Sequence, residues 1–492
     1  MAGTVVRSVS DSQSKTYLAS PDLFIQYQWV ACTIGFSYDL EPSRLRAAIQ
    51  TLVDNHYPEL TGRLHQDAQG RRFIDGSNTG FEFQIASCAD LGLRDLLPAF
   101  VRPLAKEDEP VNTLAEMFIE LLQPADYLSG RSPLCALRLT QVKDGSILGL
   151  SISHALADGE SIGQLIGCLS QLYQDSPVSL RQSSRWDVHS LAIGGSTAGS
   201  ATDAELVASL PTSGSLPATF QDLVDLGVYD LLGTSAAERK EGVALTNQVL
   251  HLNGGGLQRL RQDVLNSSAA MEAGITSISA HDIVSALAWI LREFAEGNDL
   301  STGLKKCFIF LYDLRRLVGS DIQIPQDYWG NAFSVEVVMP PPPPTGLQPQ
   351  ERSQSILAAA ACAVHVSYQT LRADPAAVSK ALGFYLGAAD VGHWKQMLDA
   401  PGFNPFRDGA GGVSSWRSMS VERADFGQGM PWVVAVRTLP LSNMQLFMTS
   451  GPGGDGALCF IDFKNNGFDR LQSSSIMHNI APEANFVKPI NR

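Results

Sequence analysis

At 492 residues, 44% of them hydrophobic and 17% charged, the chain has the length and balance of a folded protein with two or three domains and an ample core. Its formal net charge of -14 argues against a nucleic-acid binder, because phosphate contacts need a basic face. An acidic total still leaves room for a local basic mouth that takes an anionic co-substrate.

In chain order, residues 1–20 read as a polar arm or a first edge strand. Val30-Ala-Cys-Thr-Ile-Gly-Phe-Ser-Tyr38 has the aromatic and β-branched content of a strand. A helix follows over 41–53, with Pro42 suited to its first turn and Leu45, Ile49, Leu52 and Val53 on one face. Short strands near 72–85 and 134–152 bracket helical segments. Composition shifts after Tyr173 to Ser, Gly, Ala and Thr, the mark of a linker. A second half opens with a strand over 242–252, a helix near 255–268 and an amphipathic helix over 279–292. Residues 306–313 form a buried-strand run, Pro340 to Pro344 is a stiff extended spacer, and 358–368 continues a long helix. From 413 onward, strands alternate with turns. The pattern is an α/β (α+β) fold with mixed sheets and no fixed-period repeat. It divides into an N-terminal domain over 1–175, a crossover linker over 176–240 and a C-terminal domain over 241–492.

Seven cysteines (Cys32, Cys88, Cys135, Cys168, Cys307, Cys362 and Cys459) are scattered, with no metal knuckle or CxxC pair among them. The first residues carry no signal-peptide apolar run, and no window reaches the roughly 18 apolar residues of a membrane span. Reduced thiols, no metal, no membrane partner and a cytoplasmic location are therefore expected.

Chemistry centres on Ser151-Ile-Ser-His-Ala-Leu-Ala-Asp-Gly159. Residues 146–153 are apolar with the length of a buried strand, and 161–173 carry apolar residues at helical spacing. His154 therefore sits where a strand opens through a loop into a helix, an address that suits a reacting group. A histidine, titrating near 6.5, accepts a proton from an alcohol or amine at neutral pH. Asp158 faces it only if both share one helical turn; in a strand-to-loop bend it braces the loop through an arginine instead. An HxxxD spacing alone is common by chance.

Two further stretches add specificity. Asp313-Leu-Arg-Arg-Leu317 precedes Asp327-Tyr-Trp-Gly-Asn-Ala332, and Ser414-Ser-Trp416 stands upstream of Asp425-Phe-Gly-Gln-Gly429. Together with His154 and Asp158, and with Ser277-Ile-Ser-Ala-His-Asp-Ile-Val-Ser-Ala-Leu-Ala-Trp289, these resemble the BAHD acyltransferases in order and spacing from about Leu23 to Phe463. The resemblance implies two similar-sized, chloramphenicol-acetyltransferase-like domains, each a mixed sheet with flanking helices, joined by a crossover loop. It implies acyl transfer from acyl-coenzyme A, as co-substrate rather than permanent cofactor, to a small-molecule alcohol or amine, by a monomer. In that picture His154 is the general base, and Asp158, with Gly159 behind it, is structural and pairs with Arg315 or its neighbour Arg316. Trp416 and Ser414 lie near the tetrahedral intermediate. Asp425, Phe426, Gly427 and Gly429 shape a turn remote from the reaction. Gln428, where the family carries tryptophan, and extra residues between Arg316 and Tyr328 suggest a fungal-type branch. A hydrophobic secondary metabolite is the expected acceptor.

Coenzyme A ligands are not marked by any motif; Lys305, Lys306 and Arg417 are the basic groups on offer. Asn253-Gly-Gly-Gly-Leu257 lacks the Lys-Ser/Thr of a phosphate loop and reads as a turn into a helix, and 451–456 reads as a hairpin loop. His281-Asp282 reads as packing and capping, His56 and His65 as surface groups. Two other functions share the fold. A condensation-domain relative would take a carrier-bound donor, but carries a second histidine where this chain has Ser153. A non-catalytic binding member would have no use for His154 and Gly159.

Overall fold

A computed structural model of the chain describes residues 2–7, 15–93, 118–178, 245–342, 349–389, 411–438 and 446–486, apart from 27, 70, 77–78, 120–121, 123, 340, 418, 455 and 465. The expected linker from 179 onward and most of the proline run lie outside the described residues. Sixteen strands are described. The first eight are β1 (Ala2–Val6), β2 (Lys15–Tyr17), β3 (Trp29–Phe36), β4 (Leu64–Gln66), β5 (Arg72–Asp75), β6 (Phe81–Cys88), β7 (Cys135–Val142) and β8 (Gly145–Ser153). The second eight are β9 (Leu245–Leu252), β10 (Phe308–Asp313), β11 (Phe333–Val338), β12 (Gly411–Ser415), β13 (Val433–Thr438), β14 (Leu446–Thr449), β15 (Ala457–Lys464) and β16 (Ala484–Phe486).

They form two large mixed sheets. The first runs β1-β6-β7-β8-β3-β13 and the second β11-β10-β12-β14-β15-β9-β16, with β2-β5-β4 as a small third sheet. All nine residues of β8 are buried, between antiparallel neighbours β7 and β3, which explains its unbroken apolar run. Helix Pro42–Asn55 begins at Glu41, whose carboxylate accepts from the backbone N–H of Ser43 and Arg44, and its apolar face packs on helix Gly159–Tyr173. In the second half, helix Ala280–Ala295 opens with a capping box of Ser279 and Asp282 and packs on the long helix Pro349–Ala373.

Among the described strands, β13 crosses the division drawn at 241. β13 leaves the second half and pairs along its length with β3, Val433 opposite Gly35 and Thr438 opposite Val30. Its valines, with Trp416, Val421 and Phe426, belong to the core of the first half. The turn before β13 locks this crossing. Asp425 accepts from the backbone N–H of Gly427 at 2.6 Å and Gly429 at 2.9 Å. Both glycines have positive φ, 99° and 115°, which a side chain would resist. The Tyr38 hydroxyl donates to the Gly429 carbonyl at 2.8 Å. Phe426 inserts edge-on between Phe36 and Tyr173, with ring centroids 5.1 and 5.4 Å apart. Gln428 is exposed, so a polar residue there replaces an aromatic one without disturbing the core.

Because Phe426 is the one aromatic of this turn that enters the first core, Phe426→Ala is expected to cost about 3–5 kcal/mol of stability. The measurement is the denaturant midpoint.

Candidate active site

The loop after β8 is shaped by its backbone. Ser153 donates its N–H to the Leu134 carbonyl and His154 donates to the Gln28 carbonyl, both at 2.8 Å. Leu156 N–H returns to Ser153 O at 2.9 Å, closing a turn, and Asp158 then caps helix Gly159–Tyr173 by accepting from Ser161 N–H at 2.9 Å. His154 and Asp158 therefore occupy a strand end and a helix cap, and they do not share a helical turn. No hydrogen bond joins their side chains.

His154 is buried, 9% exposed, and its Nδ1 lies 2.9 Å from Asn331 Oδ1. The amide of Asn331 is fixed by two other acceptors: its Nδ2 donates to Asp22 Oδ1 at 2.8 Å and to the His154 carbonyl at 2.7 Å. With both amide protons placed, Asn331 faces the imidazole with its oxygen and accepts from Nδ1–H. A flipped amide would aim that oxygen at a carboxylate and a carbonyl. The lone pair of the neutral ring is then on Nε2, for which no partner is found among the described residues. Burial pushes His154 below the ordinary histidine range, opposed by the negative charge of Asp158 and by the Asn331 hydrogen bond. The imidazole is thus neutral at neutral pH and ready to accept a proton.

Asp158 is held quite differently. Arg315 Nη1 and Nη2 donate to its two oxygens at 3.0 and 3.2 Å, and Ala332 N–H donates to Oδ2 at 2.8 Å. Arg315, 1% exposed at its side chain, also donates to Asp313 Oδ1 (2.8 Å), the Tyr328 carbonyl (3.0 Å), Ser161 Oγ (3.0 Å) and the Gly330 carbonyl (2.9 Å). Burial raises the Asp158 carboxyl, but the Arg315 charge and hydrogen bonds, with the Ser161 and Ala332 amides, outweigh it and hold the group below the usual carboxylate range. Arg316 takes a separate course, to Glu160 at 2.9 Å and Asp313 at 3.2 Å. Of the two arginines left open by sequence, Arg315 is the partner of Asp158.

Gly159 fits closely under Trp416: a Cβ there would meet the indole and the Met419 sulfur, each at 3.1 Å. Trp416 is buried against this helix start, and Ser414 lies on β12 opposite Phe447. Neither is hydrogen-bonded to His154, so the structure brings Trp416 to Gly159 and leaves Ser414 apart. The 425–429 turn is likewise part of the inter-half seam. Sequence reasoning missed Asn331 and Asp22. Asn331 stood within a quoted motif with no role attached, and Asp22 lay just past the polar arm of residues 1–20 with no reading of its own.

A cavity of about 770 Å³ opens between the halves, lined by Ser37 from the first and His281, Asp313, Arg316, Arg417 and Trp432 from the second, while His154 is not among its lining residues. Two lining groups have buried polar atoms with no hydrogen-bond partner, His281 Nε2 and Arg417 Nη1. Burial pushes His281 below the ordinary histidine range, against the nearby Asp282, so it meets the cavity as a neutral ring. Lys306 is committed to Glu296 at 2.6 Å and, like Lys305, does not line this space.

Residues 35–341 match the model of the Transferase family. The match contains His154, Asp158, Arg315 and Asn331. BAHD acyltransferase DCR of Arabidopsis thaliana is 32% identical over 116 residues, 22% of each chain. The matched segments take in about a quarter of the length of such curated relatives. In fold, the chain is similar to F. graminearum TRI101 complexed with coenzyme A and deoxynivalenol, with a TM-score of 0.66 at 14% identity over 96% of this chain and 100% of that one. Vinorine synthase gives 0.64 at 13% identity, over 98% of each chain.

Asp158→Asn removes one of the two carboxylates that face the buried Arg315 and leaves Asp313 as the other. The expected cost is about 3–5 kcal/mol, the usual effect of breaking a buried pair from one side. Equilibrium unfolding checks it; turnover per folded molecule should fall far less than for a change at His154.

Proposed function

The chain belongs to the Transferase family, the BAHD acyltransferases, and on that premise we propose that it moves an acyl group from acyl-coenzyme A to a hydroxyl of a small hydrophobic molecule, with an amine as the other possible acceptor. The observation that carries this reading is the buried His154 whose Nδ1 is engaged by Asn331 Oδ1 at 2.9 Å, leaving Nε2 as the nitrogen available for a proton. The donor occupies the 770 Å³ cavity. Arg316, Arg417 and Arg423 line it and give it, within an acidic protein, the positive charge that the donor's phosphates need. Coenzyme A and an alcohol such as deoxynivalenol are seen together on F. graminearum TRI101, which supports the same pairing of donor and acceptor here.

The reaction is a direct displacement. As the acceptor oxygen attacks the thioester carbonyl, His154 Nε2 takes its proton; the tetrahedral intermediate then expels the coenzyme A thiolate, which receives a proton in turn. No acyl-enzyme is formed. Three of the thiols are poor candidates for one: burial pushes Cys168 and Cys459 up to about 12 and Cys362 up to about 11. Asp158 and Arg315 hold the loop and do not touch the reacting atoms.

A thiol-release assay with a panel of acyl-coenzyme A donors and candidate alcohols tests the function. His154→Ala is expected to lower kcat by roughly 10²–10⁴-fold with the fold intact; turnover equal to the parent would sink the assignment. For the donor site, Arg417→Gln is expected to raise the acyl-coenzyme A KM by roughly 10-fold, the loss of about 1.4 kcal/mol, at little changed kcat. An unchanged donor KM would remove Arg417 from the site.

A further inference from the structure

We infer that Asp22, on the first helix of the chain, is a positioning residue that sets the working tautomer of His154 through Asn331. This rests on His154 as the general base. Helix Ser20–Ile25 belongs to no sheet and carries none of the motifs that singled out the site, yet Asp22 on it is fully buried. Its Oδ2 accepts from Ala19 N–H at 3.0 Å, so one oxygen is held by its own helix start. Its Oδ1 accepts from both the backbone N–H (3.1 Å) and the side-chain Nδ2 (2.8 Å) of Asn331, 309 residues away. A carboxylate accepts only, so it dictates which end of the Asn331 amide points toward it.

The consequence passes to the imidazole. With Nδ2 drawn to Asp22 and to the His154 carbonyl, Oδ1 is the atom left facing Nδ1 at 2.9 Å, and it selects the ring form protonated there. Only that form leaves Nε2 free to take a proton. The His154 carbonyl alone would also favour this amide orientation, but it is one acceptor; Asp22 adds a second, charged one in a dry interior, where such a bond is strong. A contribution through charge alone is smaller, because the Asn331 amide stands between the Asp22 carboxylate and the ring. The device is therefore orientational. It also couples the extreme N-terminal part of the fold to the loop between β10 and β11, so the base is set only when both are seated.

The test separates tautomer from turnover. In ¹⁵N-histidine-labelled protein, which has nine histidines, the His154 ring signals are assigned by their loss in His154→Gln, and their shifts report which nitrogen carries the proton. The parent is expected to show the Nδ1–H form. Asp22→Asn is expected to redistribute the proton toward Nε2 and to lower kcat by roughly 10-fold or more, with both KM values within about 2-fold. Asn331→Ala cuts the side-chain link while leaving the Asp22 bonds to two backbone amides, and it should move the tautomer the same way even if Asp22→Asn does not fold. A parent ring protonated on Nε2, or an Nδ1–H ring retained in both variants, overturns the proposal. Neither result bears on the His154→Ala turnover, whose retention would instead overturn the base assignment.

Discussion

Placing a carboxylate and a guanidinium together inside a protein costs several kcal/mol per ion, and the pair persists only where the surrounding geometry matches each donor to an acceptor. Asp158 and Arg315 meet that condition: the carboxylate takes two guanidinium bonds and two backbone amides, and each guanidinium nitrogen finds an oxygen. The two residues are 157 positions apart, one capping a helix of the first half and one following β10 of the second. The backbone that presents His154 is therefore anchored to the other half of the molecule. A loop held by its own half alone would be free to rotate away from the space between them.

That anchoring permits a division of labour between two residues that look like a pair in sequence. Asp158 is ionised and saturated, so it takes no part in proton transfer. His154, four residues earlier, is desolvated but not ion-paired, and burial leaves it uncharged against the pull of its Asn331 hydrogen bond. Had Asp158 bonded Nδ1 directly, its charge would have favoured the imidazolium, and a larger share of the ring would already carry its proton at neutral pH. Asn331 supplies orientation without that charge. The second seam, β13 on β3 with the Phe426 turn at its head, fixes the halves at their other edge.

Much of this was legible in the chain. The buried strand to Ser153, the helix after Gly159 and the pairing of Asp158 with an arginine rather than with His154 follow from local patterns and from the family resemblance, because hydrophobic runs and caps are short-range features. The Asn253 cap and the glycine hairpin between β14 and β15 were legible for the same reason. The choice between Arg315 and Arg316 was not, since both follow the same strand and only the tertiary approach of Asp158 separates them. Asp22 was invisible because its partner Asn331 is 309 residues away and no local pattern around it marks a site. The passage of β13 into the first sheet was hidden for a similar reason: strand periodicity reports that a strand exists, not which sheet receives it.

The most direct measurement is the titration of the His154 imidazole by NMR alongside the pH dependence of kcat/KM. Because burial lowers its proton affinity, His154 stays neutral to a pH below the ordinary histidine value of about 6.5. A base is active only when neutral, so activity should be level at neutral pH and fall on the acid side with the apparent pKa of that one ring, below 6.5. An acid limb that departs from the His154 titration, or one that survives in His154→Ala, would contradict the assignment of the proton to this residue.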